Sequence, residues 1–335
     1  MAKAFYYGGQ AVMEGVMMRG RSSMAVGVRS PDGKIVVWEE TITPGPVVRS
    51  VRNVPLVRGA VVLWDTMVLG MRALIFSANV GLTEEGEDGE AEEPGSLSGP
   101  FLWLTVALSL VFSIGLFFVV PLVTVDLLSR WIESHAMINI IEGVIRLALL
   151  IGYMFAISLT SDIRRVFGYH GAEHMTINAW ERGAPVDVEH VRGQSLRHVR
   201  CGTGFLLIVV VISILFFLTL GRPVWYLLYG SRIVLVPVIA GVAYEVIRAG
   251  AAHSRNPIMR VVLAPGLWLQ GITTRQPDDS MIEVAIAAFK RVQATDGVIA
   301  ITDLDPAVVE VGADGQPLSG APSILPEPVP AMVEV

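Results

Sequence analysis

Long runs of apolar residues divide the chain into segments. Four of them, at about 101–125, 139–161, 205–220 and 233–247, are uncharged or nearly uncharged. A helix needs about 20 mostly apolar residues to cross the hydrocarbon core of a bilayer, and these runs reach or approach that length. The pattern predicts a mainly α-helical, polytopic membrane protein with about four spans. A hydrophobic content of 53% and a mean hydropathy of +0.58 agree, because an ordinary soluble domain is less apolar.

The segments between these runs are more polar and give the expected organisation. The predicted units are a cytoplasmic β-rich N-terminal unit at 1–52, an interfacial amphipathic helix at 53–80, an acidic disordered linker at 81–100, spans one and two at 101–161, a cytoplasmic His-rich loop at 162–204, spans three and four at 205–250, cytoplasmic C-terminal helices at 251–302, and a disordered tail at 303–335. The linker and the tail are assigned from their acids, prolines and small residues.

The N-terminal unit contains strand-like runs at 24–29 and 35–41. They are joined at 30–33 by the sequence Ser-Pro-Asp-Gly, which is typical of a turn. The preceding run GGQAVMEGV at 8–16 is rich in glycine, which indicates that the backbone approaches another group closely. That group can be another part of the protein itself.

A helical pattern covers residues 55–79. Arg58, Asp65 and Arg72 are spaced seven apart and form a narrow polar stripe on an otherwise apolar helix. We expect this helix to lie in the cytoplasmic membrane interface. The competing interpretation is a fifth span, which would place Met1 outside and contradict the charge distribution.

Charges are strongly segregated along the chain. Residues 84–93 contain seven acidic and no basic residues, and residues 296–335 also contain seven acidic and no basic residues. The rest of the chain is therefore basic, although the net charge of the whole chain is -6. Nine Lys and Arg precede the first predicted span, six lie between spans two and three, and six follow span four. Short cytoplasmic loops carry an excess of Lys and Arg, so we expect both termini and the central loop in the cytoplasm, with no signal peptide.

The central loop carries the most specific motif. His170, Glu173 and His174 have the spacing His-x-x-Glu-His and share one face of a helix. In inverted zinc-hydrolase motifs the two histidines bind the metal and the glutamate activates water. The competing interpretation is a pair of surface histidines that pack on lipid headgroups or bond to the backbone.

Three further residues are candidate metal ligands. His198 and Cys201 lie three apart before span three and can converge on the ion held by the histidine pair. Glu245 lies near the cytoplasmic end of span four, where a carboxylate indicates a functional site, although it can instead pair with Arg248 or Arg164. His190 is a weaker candidate. Cys201 is the only cysteine, so no intramolecular disulfide can form.

Several motifs resemble those of the YqhQ-like family of bacterial membrane proteins. This family is a domain of unknown function, and its members are described as predicted metal-dependent enzymes. The matching motifs are GGQAVMEGVM at 8–17, YHGAEH at 169–174, HVRCGT at 198–203 and PGLWLQ at 265–270. The resemblance covers about residues 5–293. Gly204 replaces the serine expected in the family's Cys-Gly-Thr-Ser-Phe stretch, so this position offers no hydroxyl. The resemblance places these residues in the family's polar motifs: His170, Glu173, His174, His198, Cys201 and Glu14.

The combined prediction is a divalent-metal site, with zinc as the expected metal, at the cytoplasmic membrane surface. Under a hydrolase hypothesis Glu173 is the general base and a peptide or a lipid is the substrate. The alternative is a non-catalytic assembly or scaffold factor with a structural metal or histidine cluster, and transport is a third hypothesis. We expect anionic lipid headgroups as partners and no nucleic acid, and the oligomeric state stays open.

Overall fold

The computed structural model describes residues 6–43, 45–51, 54–82, 100–221, 224–253, 256–313, 315 and 318. Within these residues the protein is mainly helical with one small sheet. The helices are α1 Pro46–Val51, α2 Val57–Leu82, α3 Pro100–Ile114, α4 Val120–Leu128, α5 His135–Ile157, α6 Ser161–Glu181, α7 Val188–Arg192, α8 Gly202–Leu220, α9 Trp225–Val234, α10 Val236–Ala252, α11 Pro257–Thr273 and α12 Asp279–Thr295. A π-helix, Gly115–Val119, joins α3 to α4, and a short 3₁₀ helix spans Ile301–Asp303.

The sheet has five strands in sequential order. They are β1 Gly8–Val12, β2 Gly15–Arg19, β3 Ser23–Arg29, β4 Ile35–Thr41 and β5 Val309–Val311. The first four are antiparallel neighbours, whereas β5 pairs in parallel with β4, with Val37 opposite Glu310. The two predicted strands and their turn are confirmed, and Gly33 in the turn has a φ of +85°, which favours glycine.

Both faces of the sheet are covered by helices. On one face Val16, Met18 and Ala25 pack in a core with residues of α6 and α12. On the other face Met17 and Val26 pack against the inner face of α2. Burial on both faces explains why β2 and β3 are nearly continuous apolar runs rather than alternating ones.

Among the described residues, five helical stretches are long and apolar enough to cross a membrane, which indicates a multi-pass membrane protein. They are Val57–Leu82, Leu102–Leu128, His135–Ile157, Gly202–Leu220 and Tyr226–Ala252. The predicted fold class, a mainly helical multi-span protein with a small N-terminal sheet, is confirmed. The sequence-based count of four spans is one lower, because Val57–Leu82, expected in the interface, also has the length and composition of a span.

Charged residues are buried together between the apolar helices. Glu142 accepts hydrogen bonds from Arg146 at 2.9 Å and from Arg232 at 2.9 Å. Arg146 also donates to the carbonyl of Phe117 in the π-helix at 3.0 Å. The pair of Glu142 and Arg146 therefore links α5 to the π-helix and, through Arg232, to α9.

One predicted boundary is corrected. The tail expected to be disordered from residue 303 onward contains β5, and Val311 is buried in the core beneath the sheet. Helices α5 and α6 are separate, because the chain is non-helical between Ile157 and Ser161. The acidic linker at 83–99 lies outside the described residues.

Candidate metal centre

Helix α6 carries the His-x-x-Glu-His motif and is buried along its second half. Gly171 allows this packing, because a Cβ placed there would lie 2.1 Å from the carbonyl oxygen of Arg275. Glycine weakens an isolated helix, but here it allows α6 to pack closely against the segment after α11. The motif therefore lies at a junction of α6, the 193–201 loop, and the ends of α8 and α11.

Three side chains converge at this junction. The ligand atoms of His170, His174 and Cys201 all lie within 4.8 Å of one another. The Sγ of Cys201 is 3.2 Å from Nε2 of His170, and the two imidazole rings have centroids 4.3 Å apart. Two imidazoles and one thiolate form a donor set that protein zinc sites use.

The other ring nitrogens of both histidines are held by the backbone. Nδ1 of His170 lies 2.8 Å from the carbonyl oxygen of Thr273, and Nδ1 of His174 lies 2.6 Å from that of Leu196. A carbonyl oxygen only accepts, so Nδ1 carries the proton in each ring and Nε2 keeps its lone pair. Backbone carbonyls orient metal-binding histidines in this manner.

The Nε2 atom of His174 is the clearest sign that a ligand fits here. Its residue is 1% exposed, and this nitrogen is buried with no hydrogen-bond partner among the described residues. A buried polar atom without a partner costs on the order of 1–3 kcal/mol. A metal ion would provide the missing partner, so the residues present fit one.

Cys201 occupies the N-cap position of α8. Its Sγ accepts a hydrogen bond from the backbone N–H of Thr203 at 3.4 Å. The N-terminus of a helix carries partial positive charge, which favours a negatively charged ligand atom. The start of an apolar helix thus forms one wall of the candidate site.

Glu173 is buried next to the cluster and is covered by β1. Its side chain packs against Gly9, where an added Cβ would lie 2.8 Å from Cγ of Glu173. Burial raises the pKa of Glu173 to about 7. The glycine-rich N-terminal run is therefore packed against the motif, as its composition indicated.

His198 lies beside the cluster but outside its three converging ligands. Its ring centroid is 5.6 Å from that of His174, and its Nε2 is 3.5 Å from a carboxylate oxygen of Glu181. Burial lowers the pKa of His198. Gln270 holds its backbone on both sides, accepting from the N–H and donating to the carbonyl at 2.9 Å each.

Two predicted carboxylates are held elsewhere. The carboxylate of Glu245 is bonded to Arg58 at 2.7 and 2.6 Å, so the structure does not bring it to the histidines. Its hydrogen-bonding partner is therefore neither of the two arginines considered from the sequence. Glu14 accepts from Arg165 and from the hydroxyl of Tyr169, which fixes the β1–β2 turn on α6.

His190 is half exposed and bonded to Asp187, away from the cluster. Sequence reasoning missed the carbonyl oxygens of Thr273 and Leu196, which have no residue-specific signal. It also missed Gln270, although this residue ends the PGLWLQ motif.

The fold and the site define a class: a multi-pass membrane protein with a His/His/Cys group able to hold a metal ion. The chain belongs to the protein family of unknown function DUF1385, whose model matches residues 54–295. It is 34% identical to the uncharacterized protein YqhQ of Bacillus subtilis (strain 168) over 288 residues, which are 84% of this chain and 91% of that protein. No solved structure matches the chain significantly.

Proposed function

We propose that this chain is a metal-dependent hydrolase at the cytoplasmic surface of a bacterial inner membrane. The observation that carries the proposal is the convergence of His170, His174 and Cys201, with both Nδ1 atoms bonded to backbone carbonyls. We assign zinc as the metal, because one thiolate and two imidazoles suit its borderline-soft character. Three protein ligands leave a fourth position open, as in catalytic zinc sites.

Each residue of the site has a distinct role in this proposal. The metal, when bound, supplies Lewis acidity to the scissile carbonyl or phosphoryl group. Glu173 holds and returns a proton at its carboxylate, and Gly9 packs against the Glu173 side chain. Thr273 and Leu196 hold the imidazole rings, which limits reorientation of the site during turnover.

The position of the site supports a membrane-associated substrate. Cys201 caps the start of α8 and Thr273 ends α11, so one metal ligand and one supporting carbonyl lie at the ends of apolar helices. The excess of Lys and Arg in the flanking segments supports a cytoplasmic location near anionic headgroups. A peptide bond or a lipid ester at the bilayer surface is therefore the proposed substrate class.

A scaffold function is the second candidate. It is favoured by one observation: Glu173 is 5% exposed and packs against Gly9 of β1, so the motif also contacts the sheet. In that case the metal or histidine cluster stabilises the junction and no proton transfer takes place.

Glu173→Gln separates the two candidates. The hydrolase proposal expects this variant to retain the metal content of the wild type and to lose complementation of a deletion strain. Complementation at the wild-type level would contradict catalysis and support the scaffold. His190→Ala is the matched control, because the bond of His190 to Asp187 lies on the exposed surface, and this variant should change neither metal content nor complementation.

A further inference from the structure

Helix α2 has two apolar faces, and the described part of the protein covers only one of them. Leu69, Ala73, Phe76 and Val80 are buried in the core that α2 shares with the sheet. Their spacing of three or four residues defines one face of the helix. This inner face holds α2 against the sheet through its C-terminal half.

The polar stripe of α2 fixes the helix along its whole length. Asp65 pairs with Arg19 of β2 at 2.7 Å, and Arg72 pairs with Glu40 of β4. At the other end Arg58 pairs with Glu245 of α10 at 2.6 Å. All three charged residues of the stripe therefore form ion pairs with other parts of the protein. None of them lies on the face of α2 opposite the sheet.

The outer face of α2 is apolar and exposed. Trp64 is 70% exposed and Met67 is 61% exposed. The exposed apolar side chains on this face are Trp64, Met67, Val68, Met71, Leu74 and Leu82. They lie opposite the inner face, so α2 presents a continuous apolar surface about five turns long.

The contacts of α6 limit how many helices cross the membrane. Glu14 and Gly9 in the sheet contact Arg165 and Glu173 in α6, so the sheet and α6 form one unit. A sheet with open edges does not lie in the hydrocarbon region, so this unit is on one side of the membrane. The chain between β4 and α6 then crosses an even number of times.

Among the described residues between β4 and α6, three helical stretches have the length and composition of spans, so one of them does not cross. They are α2, the stretch through α3 and α4, and α5. The segment at 84–93 carries seven acids and is too polar to add a crossing. Of these three described stretches only α2 is packed along the sheet, whereas α4 and α5 pack against each other.

We propose that α2 lies in the plane of the membrane surface. The outer face of α2 then docks the unit formed by the sheet and α6 onto the lipid bilayer. Four helical stretches then cross, and the five-stranded sheet and the candidate metal centre share one side. The occupant of the outer face is lipid, because the start of α2 packs at Gly59 against Gly241 of α10, which belongs to a helical stretch long and apolar enough to cross the membrane. In-plane helices bury their apolar face about 5–10 Å into the bilayer boundary.

The first test places the ends of α2. Val57→Cys, Gly81→Cys and Trp131→Cys are made singly, since all three positions are exposed and a Cβ at Gly81 meets nothing within 4 Å, and are treated with an impermeant maleimide in right-side-out and inverted vesicles. The wild type, with its buried Cys201, is the background control. Positions 57 and 81 should label from the same side and position 131 from the opposite side. Labelling of 57 and 81 from opposite sides would overturn the proposal.

The second test identifies what covers the outer face. Nitroxides at Met67→Cys, Met71→Cys and Leu74→Cys should show one shallow depth in proteoliposomes, from accessibility to oxygen and to a water-soluble nickel chelate. Leu108→Cys in α3 is the span control and should be deeper. A depth that changes by about 10 Å between 67 and 74 would mean a crossing helix. Low accessibility to both reagents would mean a protein partner, and high nickel accessibility would mean water; each overturns the lipid assignment.

Discussion

At the residue scale, the site combines what spacing predicts with what only the fold supplies. The i, i+4 spacing of His170 and His174 was sufficient to place them on one face of a helix. The carbonyl oxygens that hold their Nδ1 atoms belong to Thr273 and Leu196, and every residue has a carbonyl, so no sequence pattern marks them. Glu245 was selected by position in its helix, but the distant Arg58 binds its carboxylate instead.

Gly9 gives the first prediction. A Cβ at this position would lie 2.6 Å from the carbonyl oxygen of Met17 and 2.8 Å from Cγ of Glu173. Gly9→Ala should therefore lower the free energy of unfolding by about 1–3 kcal/mol, measured in detergent by thermal or chemical unfolding. Gly8→Ala is the control, because a methyl group added at Gly8 would meet nothing within 4 Å, and equal losses in both variants would contradict the contact.

Glu173 gives the second prediction, for the metal-free protein. Its pKa is about 7 in the folded state against an ordinary value of 4.5, so between these pH values the folded protein binds more protons than the unfolded chain. Stability falls with rising pH in that window, by about 3 kcal/mol in total. Glu173→Gln should remove this part of the fall. An unchanged pH profile in unfolding measurements on this variant would show that Glu173 is not buried as described.

At the element scale, most helices and the β3–β4 hairpin follow from local patterns, because their periodicity and turn residues are contained in short segments. Strand β5 could not be predicted, since three residues near the C-terminus pair with β4 more than 250 residues away in sequence. The role of α2 was also undecided locally, because length and composition alone do not separate an interfacial helix from a span.

Gly171 tests the packing of α6. Alanine normally stabilises a helix by about 1 kcal/mol relative to glycine. Here the added methyl would meet the carbonyl oxygen of Arg275, so Gly171→Ala should destabilise the protein and reduce metal binding. Gly271→Ala in α11, whose added methyl meets nothing within 4 Å, should be neutral or stabilising. The close approach is contradicted if Gly171→Ala raises the midpoint of thermal unfolding as the control does.

At the scale of the whole molecule, the sheet unit and the apolar helices meet at the candidate metal centre. His170 and His174 come from a polar helix packed on the sheet, whereas Cys201 caps an apolar helix long enough to cross the membrane. The sequence predicted this meeting point because the motifs flank the apolar runs. It could not predict which ligands converge, since that depends on how α6, α8 and α11 pack together.

The central claim is that His170, His174 and Cys201 bind one metal ion. Cobalt(II) substitution of the purified protein tests it most directly, because a thiolate ligand gives a sulfur-to-cobalt charge-transfer band and cobalt content gives the stoichiometry. We predict one cobalt per chain with this band, loss of the band in Cys201→Ser, and loss of cobalt in a His170→Ala/His174→Ala variant. Equal cobalt content in the wild type and the double variant, or a band that persists without Cys201, would contradict the claim.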